Sequence, residues 1–233
     1  MTYEIIVSLL TLIALEVVLG LDNIIFISIL AGKLPQEQQK KARSWGIVLA
    51  MFLRLGLLAA ISVIMKLNDN LFTIFNTGIS GKDLILILGG LFLIYKSVKE
   101  IYTKVEGGDG NGKLKSKSVT LSGVIGQILL LDIVFSIDSI ITAVGLVKEV
   151  WVMYVAVVIS VLIMLVAAAP ISNFVNKHPA FKILALSFLM LIGFTLLIEG
   201  FDVRVPKGYI YFAMAFAFVV DVIQMKVGGK KEL

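Results

Sequence analysis

Four carboxylates lie inside two of the most apolar stretches of this chain. Glu16 and Asp22 fall within residues 5–30, and Asp132 and Asp138 within residues 119–146. A carboxylate at the centre of a bilayer costs about 2.5–3.5 kcal/mol on insertion scales. Left unpaired, the four together would cost roughly 10 kcal/mol or more, comparable with the stability of a whole domain. Something must compensate them. The bases inside apolar stretches are Arg54 and Lys96, and bound cations, protons or water are the other candidates.

The acids come in a repeated pattern. Leu15–Ile25 matches Leu131–Ile141 at an offset of 116 residues, placing Glu16 on Asp132, Asp22 on Asp138, Gly20 on Ser136 and Asn23 on Ser139. Glu16 and Asn23 are seven apart, as are Asp132 and Ser139, so each pair shares a helix face. Asp22 and Asp138 point about a third of a turn away in a regular helix, and local unwinding at Gly20 or Ser136 would swing them into the same cavity. Carboxylate, amide and hydroxyl oxygens suit magnesium, calcium or manganese better than zinc or copper. Four acids against two internal bases leave negative charge for a divalent ion. Protons can stand in for the metal on desolvated carboxylates, so cation–proton exchange follows as the expected chemistry.

The elements that must hold these groups are membrane spans. Of 233 residues, 59% are hydrophobic and 16% charged, and the mean hydropathy is +1.01. A soluble domain needs more polar surface than that. The apolar runs are continuous, unlike the alternating strands of a barrel, so the expected fold is all-α and polytopic. Seven spans are predicted, at 5–30, 45–66, 83–101, 119–146, 151–172, 181–200 and 209–226. A weaker match of Leu86–Ile94 to Leu184–Ile192 keeps the third and sixth spans in step. Residues 5–101 and 119–200 then form an inverted 3+3 repeat, because three spans is an odd number, and residues 209–226 add a seventh helix.

Loop charge sets the expected orientation. Lys33, Lys40, Lys41, Arg43, Lys99, Lys104, Lys113, Lys115, Lys117, Lys177, Lys182, Lys226, Lys230 and Lys231 gather on one side. Lys66, Lys82, Lys148, Arg204 and Lys207 lie on the other. The positive-inside rule puts the N-terminus outside and the C-terminus in the cytoplasm. Residues 102–118, rich in glycine and lysine, read as a flexible cytoplasmic linker within one membrane domain spanning 1–233. The first apolar run reads as a permanent span and not a cleaved signal. The net charge of +5 reads as loop charge, with no nucleic-acid partner.

With no cysteine and one histidine, thiolate sites, disulfides and histidine clusters are excluded. No nucleophile elbow or phosphate loop is present, so no enzyme is expected. Glu199 reads as a solvated span end, His178 as a loop residue and Met164 as core packing. Arg54 and Lys96 read equally as structural ion pairs or as charge-coupling groups, and Lys96 could snorkel to the interface. Asp221, in the seventh span, is a fifth acidic candidate.

The segments Glu16–Phe26, Asp83–Ile101, Gln127–Gly145, Ala185–Glu199 and Pro206–Ala215 resemble the TerC family, most closely its short, single-domain YgdQ-like members. The resemblance implies a bacterial inner-membrane protein, manganese export, and kinship to the lysine-exporter superfamily. It carries the family's acidic motifs onto Glu16, Asp22, Asn23, Asp132, Ser136, Asp138 and Ser139. In the last span relatives tend to have glutamate followed by asparagine, where this chain has Asp221 and Gln224. The expected function is export of a divalent cation, manganese before others, against protons, with no tightly bound cofactor. The alternatives are a non-transporting metal-binding partner that assists assembly or metalation of exported proteins, and export of a small organic cation.

Overall fold

Long apolar runs in a chain this poor in helix breakers form helices nearly throughout. The computed structural model describes residues 2–67, 69–74, 77–106, 119–147, 149–203 and 205–228, and within these all side chains but those of residues 2, 21, 22, 62, 74, 77, 146 and 228. In order the elements are α1 (Thr2–Ala31), α2 (Gln36–Ala59), α3 (Ile61–Lys66), β1 (Asn70–Ile74), β2 (Thr77–Ser80), α4 (Gly81–Val105), α5 (Leu121–Leu146), α6 (Val150–Lys177), α7 (Pro179–Glu199) and α8 (Lys207–Gly228). Most of the linker predicted at 102–118, including Lys113, Lys115 and Lys117, lies outside the described residues.

Among the described residues six helices, α1, α2, α5, α6, α7 and α8, are long and apolar enough to cross a membrane. The third predicted span corresponds to α4. It is long enough, but Lys82, Asp83, Lys96, Lys99, Glu100 and Lys104 leave no 18-residue stretch of it with fewer than three charges. The surface fits a lipid setting. Val166, Phe212, Leu88 and Phe216 stand 79%, 74%, 65% and 63% exposed, an apolar exterior that water would not tolerate.

Two features depart from the predicted spans. The second span, expected unbroken over 45–66, starts at Gln36 and is interrupted at Ala60, where ψ turns to 21° and the short α3 begins. The chain then forms an antiparallel hairpin, β1 with β2, that periodicity did not foretell. It ends in a capping box: Asp83 N–H donates to Ser80 Oγ at 3.2 Å, and Ser80 N–H donates to Asp83 Oδ2 at 2.8 Å. This reciprocal pair fixes the start of α4.

The most extensive helix pairings are α4 with α7, α1 with α6, and α2 with α5. Glycines set how closely the first pair approaches. A Cβ on Gly90 would lie 2.6 Å from the carbonyl oxygen of Gly193, and one on Gly193 would lie 2.9 Å from that of Gly90. Gly200 meets the Asp83 carbonyl, so the end of α7 lies at the start of α4 and the two run antiparallel. Gly20 meets Met164 and Gly32 meets Asn176, which makes α1 and α6 parallel. α8 leans mainly on α7, leaving an apolar groove of about 830 Å³ beside α1, α6 and α7.

Candidate functional site

Two charged clusters lie side by side, each built from elements far apart in sequence. α1 runs unbroken through Gly20 and α5 unbroken through Ser136, so the unwinding that would have swung the second acids inward is not observed. The regular helices present Glu16 and Asp132 to the side chain of Arg54 on α2. The guanidinium donates from Nη1 to Glu16 Oε2 at 2.7 Å. It donates from Nε and Nη2 to Asp132 Oδ1 at 3.0 and 2.6 Å. All three residues are 4–5% exposed. Asp132 Oδ2 accepts from Ser136 Oγ at 3.2 Å, and Ser139 Oγ donates to the Ser136 carbonyl at 3.2 Å. Two carboxylates and one guanidinium leave this buried triad one positive charge short of balance.

The second cluster centres on Asp138, two turns further along α5. Its carboxylate is ion-paired to Lys207, the first residue of α8, and lies 4.0 Å from Lys82 at the start of α4. Glu199, at the end of α7, is half-buried on the same cavity as Asp138 and Lys207. That cavity measures roughly 50 Å³, and Asn23, Arg54 and Ser139 also line it. On the other side of Arg54 a smaller pocket of about 10 Å³ is lined by Asn23, Asp132 and Met164. Asn23 faces both spaces, and its Nδ2 is buried without a hydrogen-bond partner among the described residues.

The structure therefore brings Glu16, Arg54, Asp132, Ser136 and Ser139 into one cluster, with Asp138 and Asn23 beside it. The side chain of Asp22 lies outside the described residues. Lys96 does not join the acids. Its ammonium donates to Gln127 Oε1 at 2.6 Å and sits 5.6 Å from the centre of the Phe92 ring, in the company of Lys33, Lys99 and Glu100. Asp221 lines neither cavity, although its Oδ2 is buried without a partner among the described residues. Among the described residues no three of aspartate, glutamate, histidine and cysteine gather as a metal-holding group, and each described acid of the two repeated elements holds a basic side chain.

Reading the sequence missed Lys207, Lys82 and Glu199 as members of the site. Lys207 and Lys82 were grouped with the sparse loop charges on one side, and Glu199 with solvated ends. The available signal was their position: Asp138 lies near the end of its span on that same side, and the bases nearest that level are its natural partners. Met164, read as core packing, is indeed part of the buried hydrophobic core, and it also lines the smaller pocket.

The model of the "Integral membrane protein TerC family" matches residues 1–231. UPF0053 inner membrane protein YgdQ of Escherichia coli K12 is 52% identical over 223 residues, covering 96% of this chain and 93% of the relative. A UPF0053 protein of Haemophilus influenzae is 51% identical over 221 residues, covering 95% and 93%. UPF0053 protein YegH of Escherichia coli K12 is 47% identical over 216 residues, covering 93% of this chain and 41% of the longer relative. No solved structure matches the chain.

Proposed function

This chain belongs to the TerC family of integral membrane proteins, and from that premise we propose that it exports a divalent metal cation, manganese before others, in exchange for protons. The observation that carries the reading is the convergence of the two repeated acidic elements, Glu16 of α1 and Asp132 of α5, on one buried arginine between two cavities. Oxygen-rich, partly desolvated and net negative, such a centre attracts a hard cation.

Packing supports an inverted repeat with seven crossings, α4 among them. If α1, α2 and α4 correspond to α5, α6 and α7, a two-fold axis in the membrane maps the α1–α6 contact onto α5–α2 and the α4–α7 contact onto itself. These are the three most extensive pairings. A self-mapped pair about such an axis must be antiparallel, as α4 and α7 are. The charge pattern then places the N-terminus outside and the C-terminus in the cytoplasm, with Asp138, Lys82 and Lys207 at the outer mouth.

In the arrangement described, Arg54 pairs with both Glu16 and Asp132 and leaves one negative charge uncompensated. An arriving cation competes with the guanidinium for the same oxygens, and protons are the returning charge. Asp138, loosely held by bases that are each at least a quarter exposed, lies on the path outward. Rocking of one repeat against the other exposes the centre to each side in turn.

One observation favours a second reading. Each described acid of the repeat is already paired with a basic side chain, an arrangement that also suits a chain that moves no cation and serves as a partner for other membrane proteins. Flux separates the two. Manganese uptake into proteoliposomes, with a pH dye inside, should occur with opposing proton flow and be lost in Asp132→Asn and Asp138→Asn. Folded protein that moves no manganese, calcium or magnesium would sink the transport reading and leave the partner reading.

A further inference from the structure

The smaller pocket, otherwise walled largely by aliphatic side chains, places a soft donor beside one acid, Asp132. Asn23, Arg54, Asp132 and Met164 meet there around about 10 Å³, room for one atom-sized guest. Asp132 is 4% and Met164 5% exposed. The unpartnered amide of Asn23 is a second and independent sign of a guest, since buried polar atoms ordinarily have partners. Its oxygen and nitrogen can exchange places by a flip, so the amide can offer oxygen to a cation.

Gly20 makes room for the sulfur. A Cβ at Gly20 would stand 2.3 Å from Met164 Sδ, so the thioether lies against α1 one turn before Asn23. The repeat is asymmetric at this level. Ser136, the counterpart of Gly20, offers its hydroxyl to Asp132, whereas the glycine admits a side chain from α6. One half contributes oxygen and the other admits sulfur.

Building on the proposed export of a divalent cation, we infer that Met164 sets which cation is accepted, its thioether completing with Asp132 and Asn23 an inner site that opens when Arg54 withdraws. Calcium and magnesium take oxygen ligands, and replacing one by sulfur penalises them. Divalent transition-metal ions tolerate the softer donor better, manganese least among them but more than calcium or magnesium, since it lies on their affinity series for softer ligands. The methionine therefore acts as a filter against the abundant hard cations, while the carboxylate supplies the attraction.

The test is competition binding on the full purified chain in detergent, titrating manganese in the presence of calcium or magnesium and reading free manganese by electron paramagnetic resonance. The wild-type chain should prefer manganese. Met164→Leu should lower that preference by about tenfold or more, the lower end of what losing even an outer partner of a metal costs. Its melting temperature should hold, because leucine keeps the volume. Met164→Gln, which offers a hard oxygen at similar reach, should shift the preference toward calcium and carries the comparison should the leucine variant not fold. Manganese bound with the same preference in all three proteins overturns the inference and leaves the transport reading standing. No manganese bound by the wild-type chain overturns both.

Discussion

Replacing Arg54 by methionine removes one charge and leaves two carboxylates where water does not reach. Each of its two ion pairs, with charge centres about 4 Å apart, attracts by about 4 kcal/mol at an effective dielectric of 20. Desolvating three ions costs several kcal/mol each, so the intact triad is close to break-even. The variant is not, since Glu16 and Asp132 stay 5% and 4% exposed with their compensation gone. A loss of about 3–5 kcal/mol is expected, a large part of the roughly 5–15 kcal/mol that holds a typical domain together. Followed by Trp45 and Trp151 fluorescence in detergent, the melting temperature should fall by on the order of 10 °C. Adding Glu16→Gln and Asp132→Asn should recover most of the loss, because the penalty belongs to the stranded charges and not to missing volume. If the triple variant melts no higher than Arg54→Met alone, or if Arg54→Met costs less than about 1 kcal/mol, the compensated-triad reasoning is wrong.

Other consequences can be measured separately. Lys207→Ala should leave global stability within about 1 kcal/mol, since the pair is partly exposed. It should nevertheless speed hydrogen exchange at the start of α8, the helix that leans on little besides α7; unchanged exchange would show that the ion pair does not tether it. Gly90→Ala should splay α4 from α7 and cost about 1–3 kcal/mol, because its Cβ would meet backbone at 2.6 Å. Gly126→Ala, with nothing within 4 Å of its Cβ, is the matched control and should be neutral or stabilising; equal costs for the two would place the close approach elsewhere.

Much of this protein is legible one residue at a time. Runs such as Val155–Ala169 can only be membrane helix. Acids paired at the same spacing in two spans identify Glu16 and Asp132 as equivalent, and the scarcity of internal bases narrows the compensators to Arg54 and Lys96. These are properties of composition and period, which survive without knowledge of how helices are rotated against one another. The family resemblance adds the expected cargo, manganese.

Partner choice depends on rotation, tilt and depth, and those are tertiary. Arg54 and Lys96 look alike in the sequence as lone bases in apolar runs. Only the packing of α2 on α5 turns one toward the acids, while α4 carries the other to Gln127. Asp138 finds Lys207 across 69 residues because the turn after α7, passing through Asp202 at φ 61°, returns the start of α8 to the end of α5. Gly20 reads as a point of unwinding by its type, yet it is helical and serves as a seat for a sulfur from α6. A sequence fixes which faces are apolar and where charge must be answered. Which side chain answers it is decided when close contacts such as Gly90 on Gly193 lock the helices at one crossing, since a small rotation there moves every side chain above and below.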